Sequence, residues 1–374
     1  MKSEIVKKGN WVILPFLLKF LLVIIFTILF SLHSILLASE SESKWHEKIS
    51  INGDTRLRWE GIYKDPGEDN ERERFRFRLG MSTNITKNIK LAFRFETGVN
   101  DPVSSNKTFG EGFSIKEFGI GRAYLDWAVS EKINILAGKT KRPWFVSGAN
   151  SLLWDNDFNP EGIFVNYKSN NFFLNGGHMI LDQGFSNDET ILYSFQIGKQ
   201  IDFQDRSFLI FGLGLYDYQN AKGKFPFYKA KGNTINDNGN YEFNYQLNEF
   251  FMEYNTHFLS VPVIFHTEII NNSAIRNDNK AFSLGIGFGS VKKRGDMQFN
   301  YSYYDTDKDA LIGSYSDSDF AGGNTDSKGY VIRTRFGLNE SMALSGVFII
   351  SEYNNLLREK IEYNRVQIDL EFRF

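Results

Sequence analysis

Basic side chains occur at every second position in several stretches of this sequence. Arg74, Arg76 and Arg78 alternate with aromatic or aliphatic residues, and Arg56 and Arg58 show the same spacing. Rows of guanidinium and ammonium groups can bind or steer anions. If they line a water-filled interior, we expect them to form one positive wall; the alternative is that they only neutralise nearby acidic residues. The predicted set is Arg56, Arg58, Arg74, Arg76, Arg78, Lys90, Arg94, Arg333, Arg335, Arg365 and Arg373.

The segment 140–161 combines charged residues with large apolar ones. It contains Trp144 and Trp154 together with Asp155 and Asp157. Apolar content in a loop indicates packing against another part of the protein, and its carboxylates could then face the arginines. A loop that folds into the interior would satisfy both requirements. Packing on neighbouring loops at the outer surface of the protein is the alternative.

The sequence offers little for catalysis. There is no cysteine, the five histidines are scattered, and neither a metalloprotease helix motif nor a serine nucleophile elbow is present. The segments 232–240 and 315–326 are rich in Asp and Asn and could bind calcium, but ordinary solvated loops are the simpler interpretation. We therefore expect no enzyme activity, no catalytic residues, no metal and no cofactor. The net charge of −2 gives no reason to expect nucleic acid as a partner.

The elements that position the basic residues are β-strands with one apolar and one polar face. At the end of the chain Val366, Ile368 and Leu370 alternate with Gln367 and Asp369. Alternation with a period of two predicts a strand. We interpret sixteen stretches as strands, at 48–61, 72–83, 88–98, 118–129, 132–139, 162–168, 171–181, 190–199, 207–217, 245–257, 259–270, 280–289, 295–305, 328–338, 341–351 and 362–374.

The connections between these strands alternate in length. Short and long gaps alternate along the chain. Gaps such as 84–87 and 169–170 are short, whereas gaps such as 62–71 and 218–244 are long. An even number of strands joined by alternating short turns and long loops is typical of an outer-membrane barrel. The predicted fold is all-β: a transmembrane antiparallel barrel of about 16 strands, with short periplasmic turns and long external loops.

Aromatic residues make up 16% of the chain, although the chain as a whole is hydrophilic. Outer-membrane barrels carry aromatic girdles on the lipid-facing surface. Two sets of residues fit such a girdle: Tyr245, Phe250 and Tyr254, or Phe299, Tyr301 and Tyr303. The core of a soluble β-sandwich is the alternative location.

The N-terminus has the pattern of an export signal. A basic start that includes Lys7 and Lys8 precedes an apolar run, and Ala38 precedes a polar stretch. An uncleaved membrane anchor is the alternative to a cleaved signal. We predict a cleaved secretory signal at 1–38, a short periplasmic segment at 39–47 and the barrel at 48–374, in the outer membrane of a Gram-negative bacterium.

Three groups of motifs, in their order along the chain, resemble the putative porins of Gram-negative outer membranes. They are Gly53-Asp54-Thr55-Arg56-Leu57-Arg58-Trp59-Glu60 with Arg74-Phe75-Arg76-Phe77-Arg78, then Ala123-Tyr124-Leu125-Asp126-Trp127 with Ala137-Gly138-Lys139, and Leu153-Trp154-Asp155-Asn156-Asp157 with Asn159-Pro160-Glu161-Gly162. The terminal Phe374, together with Phe372, is similar to the C-terminal signal that barrel-insertion machinery reads.

This resemblance implies a sixteen-stranded barrel in outer-membrane lipid, with a homotrimer as one possible assembly. It also implies that the third external loop narrows the pore beside the basic residues. The implied constriction residues are Lys141, Arg142, Asp155, Asp157 and Glu161, the last three forming its acidic side. The expected function is passive diffusion of small hydrophilic solutes or ions. A polysaccharide exporter of the alginate type and a non-channel surface or structural barrel are the alternatives.

Overall fold

The computed structural model describes residues 48–374 apart from 99–100, 111, 113, 149–151, 184–188, 356 and 358. The predicted export signal at 1–38 and the segment 39–47 lie outside these residues. The strands are β1 Ile49–Asp65, β2 Asn70–Asn84, β3 Ile89–Thr97, β4 Lys107–Thr108, β5 Phe118–Ala128, β6 Ile133–Lys139, β7 Glu161–Ser169, β8 Phe172–Asp182, β9 Thr190–Asp202, β10 Phe208–Gln219, β11 Tyr245–Phe258, β12 Val261–Asn272, β13 Lys280–Gly289, β14 Met297–Thr306, β15 Ser327–Gly337, β16 Met342–Asn354 and β17 Lys360–Arg373.

Sixteen of these strands form a closed antiparallel barrel. β1 pairs with β2 on one side and with β17 on the other, so the first and last strands meet. β3 pairs with β5, and from β5 onward each strand pairs with the next along the chain. Closure leaves the barrel with no unpaired edge. The prediction of a sixteen-stranded antiparallel barrel is confirmed.

Two predicted loops differ from the structure. The first, predicted at 62–71, spans only residues 66–69, because β1 and β2 extend beyond the alternating pattern. The second, within 99–117, contains the short strand β4, in which Lys107 pairs with Phe75 of β2. β3 is shorter than β2 and leaves the external end of β2 without a partner, and β4 supplies one there. The loop bends back over the barrel wall as a result.

The outer surface of the barrel is apolar, as a lipid-facing wall requires. Leu57, Phe348 and Ile368 are exposed, whereas Arg58 and Asp369 on the same strands are buried in the interior. The predicted lipid-facing position of Tyr245 is wrong. This residue is fully buried inside the barrel, where its hydroxyl donates to Asp309 at 2.9 Å.

Three long loops fill much of the interior. Trp144 and Trp154 of the loop 140–160 stack with their ring centroids 4.4 Å apart, and both contact Tyr216 of β10 edge-on. Residues of the loops 220–244 and 307–326 join the same apolar cluster. These loops cover the inward faces of β6 to β12, where buried apolar residues such as Phe164 and Leu247 occur together with polar ones such as Gln196 and Glu268. Two cavities lie along β14 to β17, β1 and β2.

Within the described part of the chain, no helix is long and apolar enough to cross a membrane.

Candidate pore constriction

Strand register places the predicted basic residues next to one another at the barrel seam. On the β2 side of β1, Arg58 lies opposite Arg74 and Arg56 lies opposite Arg76. On the β17 side, Arg58 lies opposite Asp369. Like charges directly opposite each other destabilise a sheet. The arrangement therefore requires nearby carboxylates.

The barrel wall itself supplies several of these carboxylates. Asp54 accepts hydrogen bonds from Arg76 and Arg78, each at 2.7 Å. Glu60 lies 2.5 Å from Arg365, 2.5 Å from Arg72 and 3.3 Å from Arg74. On the same inward side, Arg335 contacts Glu371 at 2.7 Å and Arg94 contacts Glu96 at 2.8 Å. The wall is therefore a network of alternating charges and not a purely positive surface.

The loop 140–160 folds into the lumen. Its Phe145 N–H donates to Gln196 of β9 and its Gly148 N–H donates to Glu253 of β11, while Asp157 reaches Arg78 of β2 at 3.0 Å. A loop that contacts strands on opposite sides of a closed barrel must cross its interior. Asp157 also lies 3.7 Å from Arg76, so it faces the arginines of β2.

A second loop, 307–326, also faces the arginine wall. The sequence pattern did not predict that this loop contributes to the pore. In the loop 307–326, Asp317 contacts Arg333 at 2.9 Å, and Asp319 contacts Arg365 at 2.8 Å and Arg58 at 3.4 Å. The signal that could have identified it is a shared spacing. Both loops carry an Asp-x-Asp pattern, at 155–157 and at 317–319.

Asp155 joins these two loops to each other. Its backbone N–H donates to the Tyr315 carbonyl at 2.8 Å, and its carboxylate accepts the backbone N–H groups of Ser318 at 2.9 Å and Asp157 at 2.7 Å. Burial raises the pKa of Asp155 well above its usual range, and the carboxylates of Asp317 and Asp157 add to this effect. Asp155 therefore holds the loops 140–160 and 307–326 together, whereas Asp157 faces the arginines.

The pKa values of the other two loop carboxylates, Asp157 and Asp319, shift in the opposite direction to that of Asp155. Burial alone would raise the pKa of Asp157, but Arg76 and Arg78 outweigh burial and lower it to about 2. Burial likewise opposes ionisation of Asp319, and Arg365 and Arg58 overcome it, so that its pKa falls well below the usual range. Both groups are ionised at neutral pH and give the loops a fixed negative surface opposite the arginines.

The loop 98–117 completes the narrow region. The Asn106 side chain accepts a hydrogen bond from Arg56 at 2.7 Å, and its backbone carbonyl accepts one from Arg74 at 2.9 Å. Ser318 donates to the Val103 carbonyl at 3.1 Å. Three loops therefore meet in front of β1 and β2, whereas the sequence indicated only one.

Two cavities meet at this point. An inner cavity of about 450 Å³ and an outer one of about 460 Å³ share Val103, Ser318 and Asp319 in their linings. The inner cavity extends toward Arg373 and the short turns, and the outer one toward Lys64 and the long loops. The formal charges in the inner cavity are equal in number, with Arg56, Arg58, Arg76, Arg333, Arg335 and Arg373 against Asp155, Asp157, Asp317, Asp319, Asp369 and Glu371. Asp155 differs from the other acidic residues in that its raised pKa disfavours ionisation.

Several predicted site residues lie away from this narrow region. Lys90 is exposed near the short-turn end of β3, opposite Asp126. Lys141 is half-exposed, 3.9 Å from Asp126. Glu161 does not join the acidic residues that face the arginines, because it begins β7 with an exposed side chain paired to Lys139 at 2.5 Å.

Two further arginines of the region have supporting roles. Arg142 donates to the Trp154 carbonyl at 2.8 Å and to Asn156 at 2.7 Å, which holds the loop 140–160 in shape. The sequence pattern did not identify Arg122 as a site residue. Arg122 of β5 lies opposite Arg94 of β3 and donates to Asn159 at 2.7 Å. Arg122 sits within a short stretch flanked by glycine and tyrosine, where the alternation of charge is weak.

The predicted C-terminal signal residues lie at the seam. Phe374 exchanges backbone hydrogen bonds with Gly53 at 2.9 and 3.1 Å, and Phe372 lies opposite Thr55. As for metals, the described residues contain no group of three His, Cys, Asp or Glu side chains arranged to hold an ion.

A closed sixteen-stranded barrel with inward-folded loops and a charged constriction defines the class of outer-membrane porins. Residues 62–260 and 235–374 match the family described as "Putative porin", and the chain belongs to that family. It is a channel for passive diffusion in the outer membrane.

Solved structures show the same fold. OprB of Pseudomonas putida, in its high-pH structure, is 11% identical, with a TM-score of 0.60 and alignment over 90% of this chain and 100% of that one. A triple mutant of the Rhodopseudomonas blastica porin is 12% identical, with a TM-score of 0.52 over 87% of this chain and 100% of that one. No curated protein matches the sequence.

Proposed function

We propose that this porin carries small hydrophilic solutes and ions through the narrow region between the arginine wall and the two Asp-x-Asp loops. The observation that supports this is the pair of cavities that share Val103, Ser318 and Asp319. The solute passes alongside the ion pairs that Asp319 of the loop forms with Arg58 and Arg365 of the wall, and it experiences the field of these fixed charges. Such a field favours small, well-hydrated, polar solutes over apolar ones.

Conductance of the purified protein in planar bilayers tests this function. We expect stable, ohmic single-channel steps in KCl, and liposomes that contain the protein should swell in small sugars. A folded barrel that gives neither conductance nor swelling would contradict the proposal and would favour the non-channel role. Heat-modifiable migration on gels confirms in the same preparation that the barrel is folded.

The polysaccharide-export alternative is not favoured. A long polymer needs a wide lumen, but here the loops 140–160, 220–244 and 307–326 occupy much of the interior. The arginines that would attract an anionic polymer are also held by carboxylates such as Asp54, Glu60 and Asp369.

The proposal extends to how the protein reaches the outer membrane and how many copies assemble there. The signal at 1–38 directs export and is cleaved, and the terminal Phe372 and Phe374 present the barrel to the insertion machinery. Three copies form a homotrimer in the membrane. The mass of the N-terminal peptide of the purified protein tests whether the signal is cleaved. Crosslinking in detergent followed by gel analysis tests whether the protein is a trimer.

A further inference from the structure

The outer cavity, unlike the inner one, has a strong excess of positive charge. It is lined by six basic residues, Lys64, Arg72, Arg74, Lys229, Lys231 and Arg365. Only two carboxylates, Asp101 and Asp319, line it with them. Its walls are the external ends of β1, β2, β16 and β17 together with the loops 98–117, 220–244 and 307–326. A solute that enters from outside meets this charge before it reaches the constriction.

The three arginines of this cavity form ion pairs with a carboxylate, but the three lysines form none among the described residues. Arg72, Arg74 and Arg365 all contact Glu60. Among the residues that the structure describes, no carboxylate lies within 4.0 Å of the ammonium groups of Lys64, Lys229 or Lys231. The excess charge therefore comes mainly from lysines, two of which lie on a loop that the sequence did not connect with the pore.

Two of these lysines are positioned by contacts with their own loop or with the loop 307–326. Lys231 donates to the Gly322 carbonyl at 2.6 Å, and Lys229 lies 5.0 Å from the centre of the Tyr228 ring. Burial lowers the pKa of Lys231. The charge of Lys229 lowers this pKa further, as do those of Arg365 and Lys64, and together they outweigh the opposing effect of Asp101. Mutual repulsion of this kind is relieved when an anion binds among the charges.

We infer that Lys64, Lys229 and Lys231, with Arg365 at the floor, form a binding site for a doubly charged oxyanion at the external entrance. Ammonium groups bind phosphate and carboxylate oxygens as point charges, and Arg365, whose Nη2 already contacts Glu60 and Asp319, contributes its positive charge. The volume of about 460 Å³ accommodates inorganic phosphate or a small dicarboxylate with its water. This inference rests on the proposed channel function and names the class of solute that the channel concentrates.

A phosphate-block experiment on single channels tests the site. The variant is K229Q/K231Q, and the matched control is K292Q/K293Q, which removes the same charge from exposed lysines in the turn 290–296. Phosphate is added to one side of the bilayer and then to the other, while the chloride current is recorded. In the native protein we expect block from one side only. In K229Q/K231Q the phosphate concentration for half-block should rise by about fivefold, as expected for the loss of two partly screened contacts.

The outcomes separate this inference from the channel function. Equal block in the native protein and in K229Q/K231Q, or an equal loss in K292Q/K293Q, overturns the oxyanion site while the channel function stands. The absence of any current in the folded native protein contradicts the channel function itself. Succinate used in place of phosphate distinguishes a general site for divalent oxyanions from one restricted to phosphate.

Discussion

The guanidinium of Arg58 holds the carboxylate of Asp369 through two parallel hydrogen bonds, 2.7 Å from Nε to Oδ1 and 2.8 Å from Nη2 to Oδ2. Arg58 lies on the first strand and Asp369 on the last, so this buried pair spans the seam that closes the barrel. The same guanidinium reaches Asp319 on the loop 307–326. One side chain therefore connects barrel closure with the position of a pore loop.

Replacement of Asp369 by Asn should weaken the barrel. The change leaves Arg58 buried with only its more distant partners, and loss of one member of a buried pair costs about 3 kcal/mol in the free energy of unfolding. Urea unfolding of the protein in micelles measures this cost. The control is Glu161→Gln, which removes an exposed ion pair and should give no measurable change. Equal stability of the two variants would show that the seam pair is not stabilising.

Opposite changes on the two sides of the constriction should shift ion selectivity in opposite directions. Arg76 lies 3.7 Å from Asp157, and the inner cavity around them holds equal numbers of basic and acidic residues. We expect Arg76→Gln to move the reversal potential in a KCl gradient toward cation selectivity and Asp157→Asn to move it toward anion selectivity. Arg76→Lys keeps the charge and should change little. Shifts of the same sign in both glutamine and asparagine variants would place this pair outside the ion path.

The contribution of Asp157 to stability should depend on pH in the acidic range. Its pKa is lowered from 3.8 to about 2, so its stabilising contribution is present above the unfolded value and is lost as the pH falls through the folded value. The difference in unfolding free energy between the native protein and Asp157→Asn should be about 2 kcal/mol at pH 6 and should disappear near pH 2. Urea titrations at several pH values measure it. A difference that stays constant down to pH 2 would argue against the ion pairs with Arg76 and Arg78.

Gly53 should be needed for the barrel to close around its C-terminus. A Cβ atom at this position would lie 2.4 Å from Cζ of Phe374 and 2.5 Å from the backbone oxygen of Arg78. Gly53→Ala should therefore destabilise the seam by about 1–3 kcal/mol, as overpacking does. Gly176→Ala is the control, because its Cβ would meet nothing closer than 3.4 Å. Heat-modifiable gel migration, recorded against temperature, compares the two variants.

Much of the fold could be predicted from the sequence, because a membrane-spanning strand imposes a local rule. One face contacts lipid and must be apolar, so Leu57 and Ile368 alternate with Arg58 and Asp369 along their strands. The rule also indicated which side of β1, β2 and β17 the arginines occupy. It fails for Tyr245, because packed loops make the inner face apolar as well, and alternation then no longer distinguishes inside from outside.

The sequence by itself determined the barrel, the inward direction of the arginine rows and the loop that carries Asp155 and Asp157. Only the tertiary structure decided what those arginines face. Asp319 reaches Arg58 although 261 positions separate them, and Lys229 and Lys231 reach the entrance from yet another loop. Loops follow no repeating pattern, so their positions depend on which wall residues they pack and pair with. The electrostatics of the pore therefore arise from contacts between distant segments, which only the closed barrel brings together.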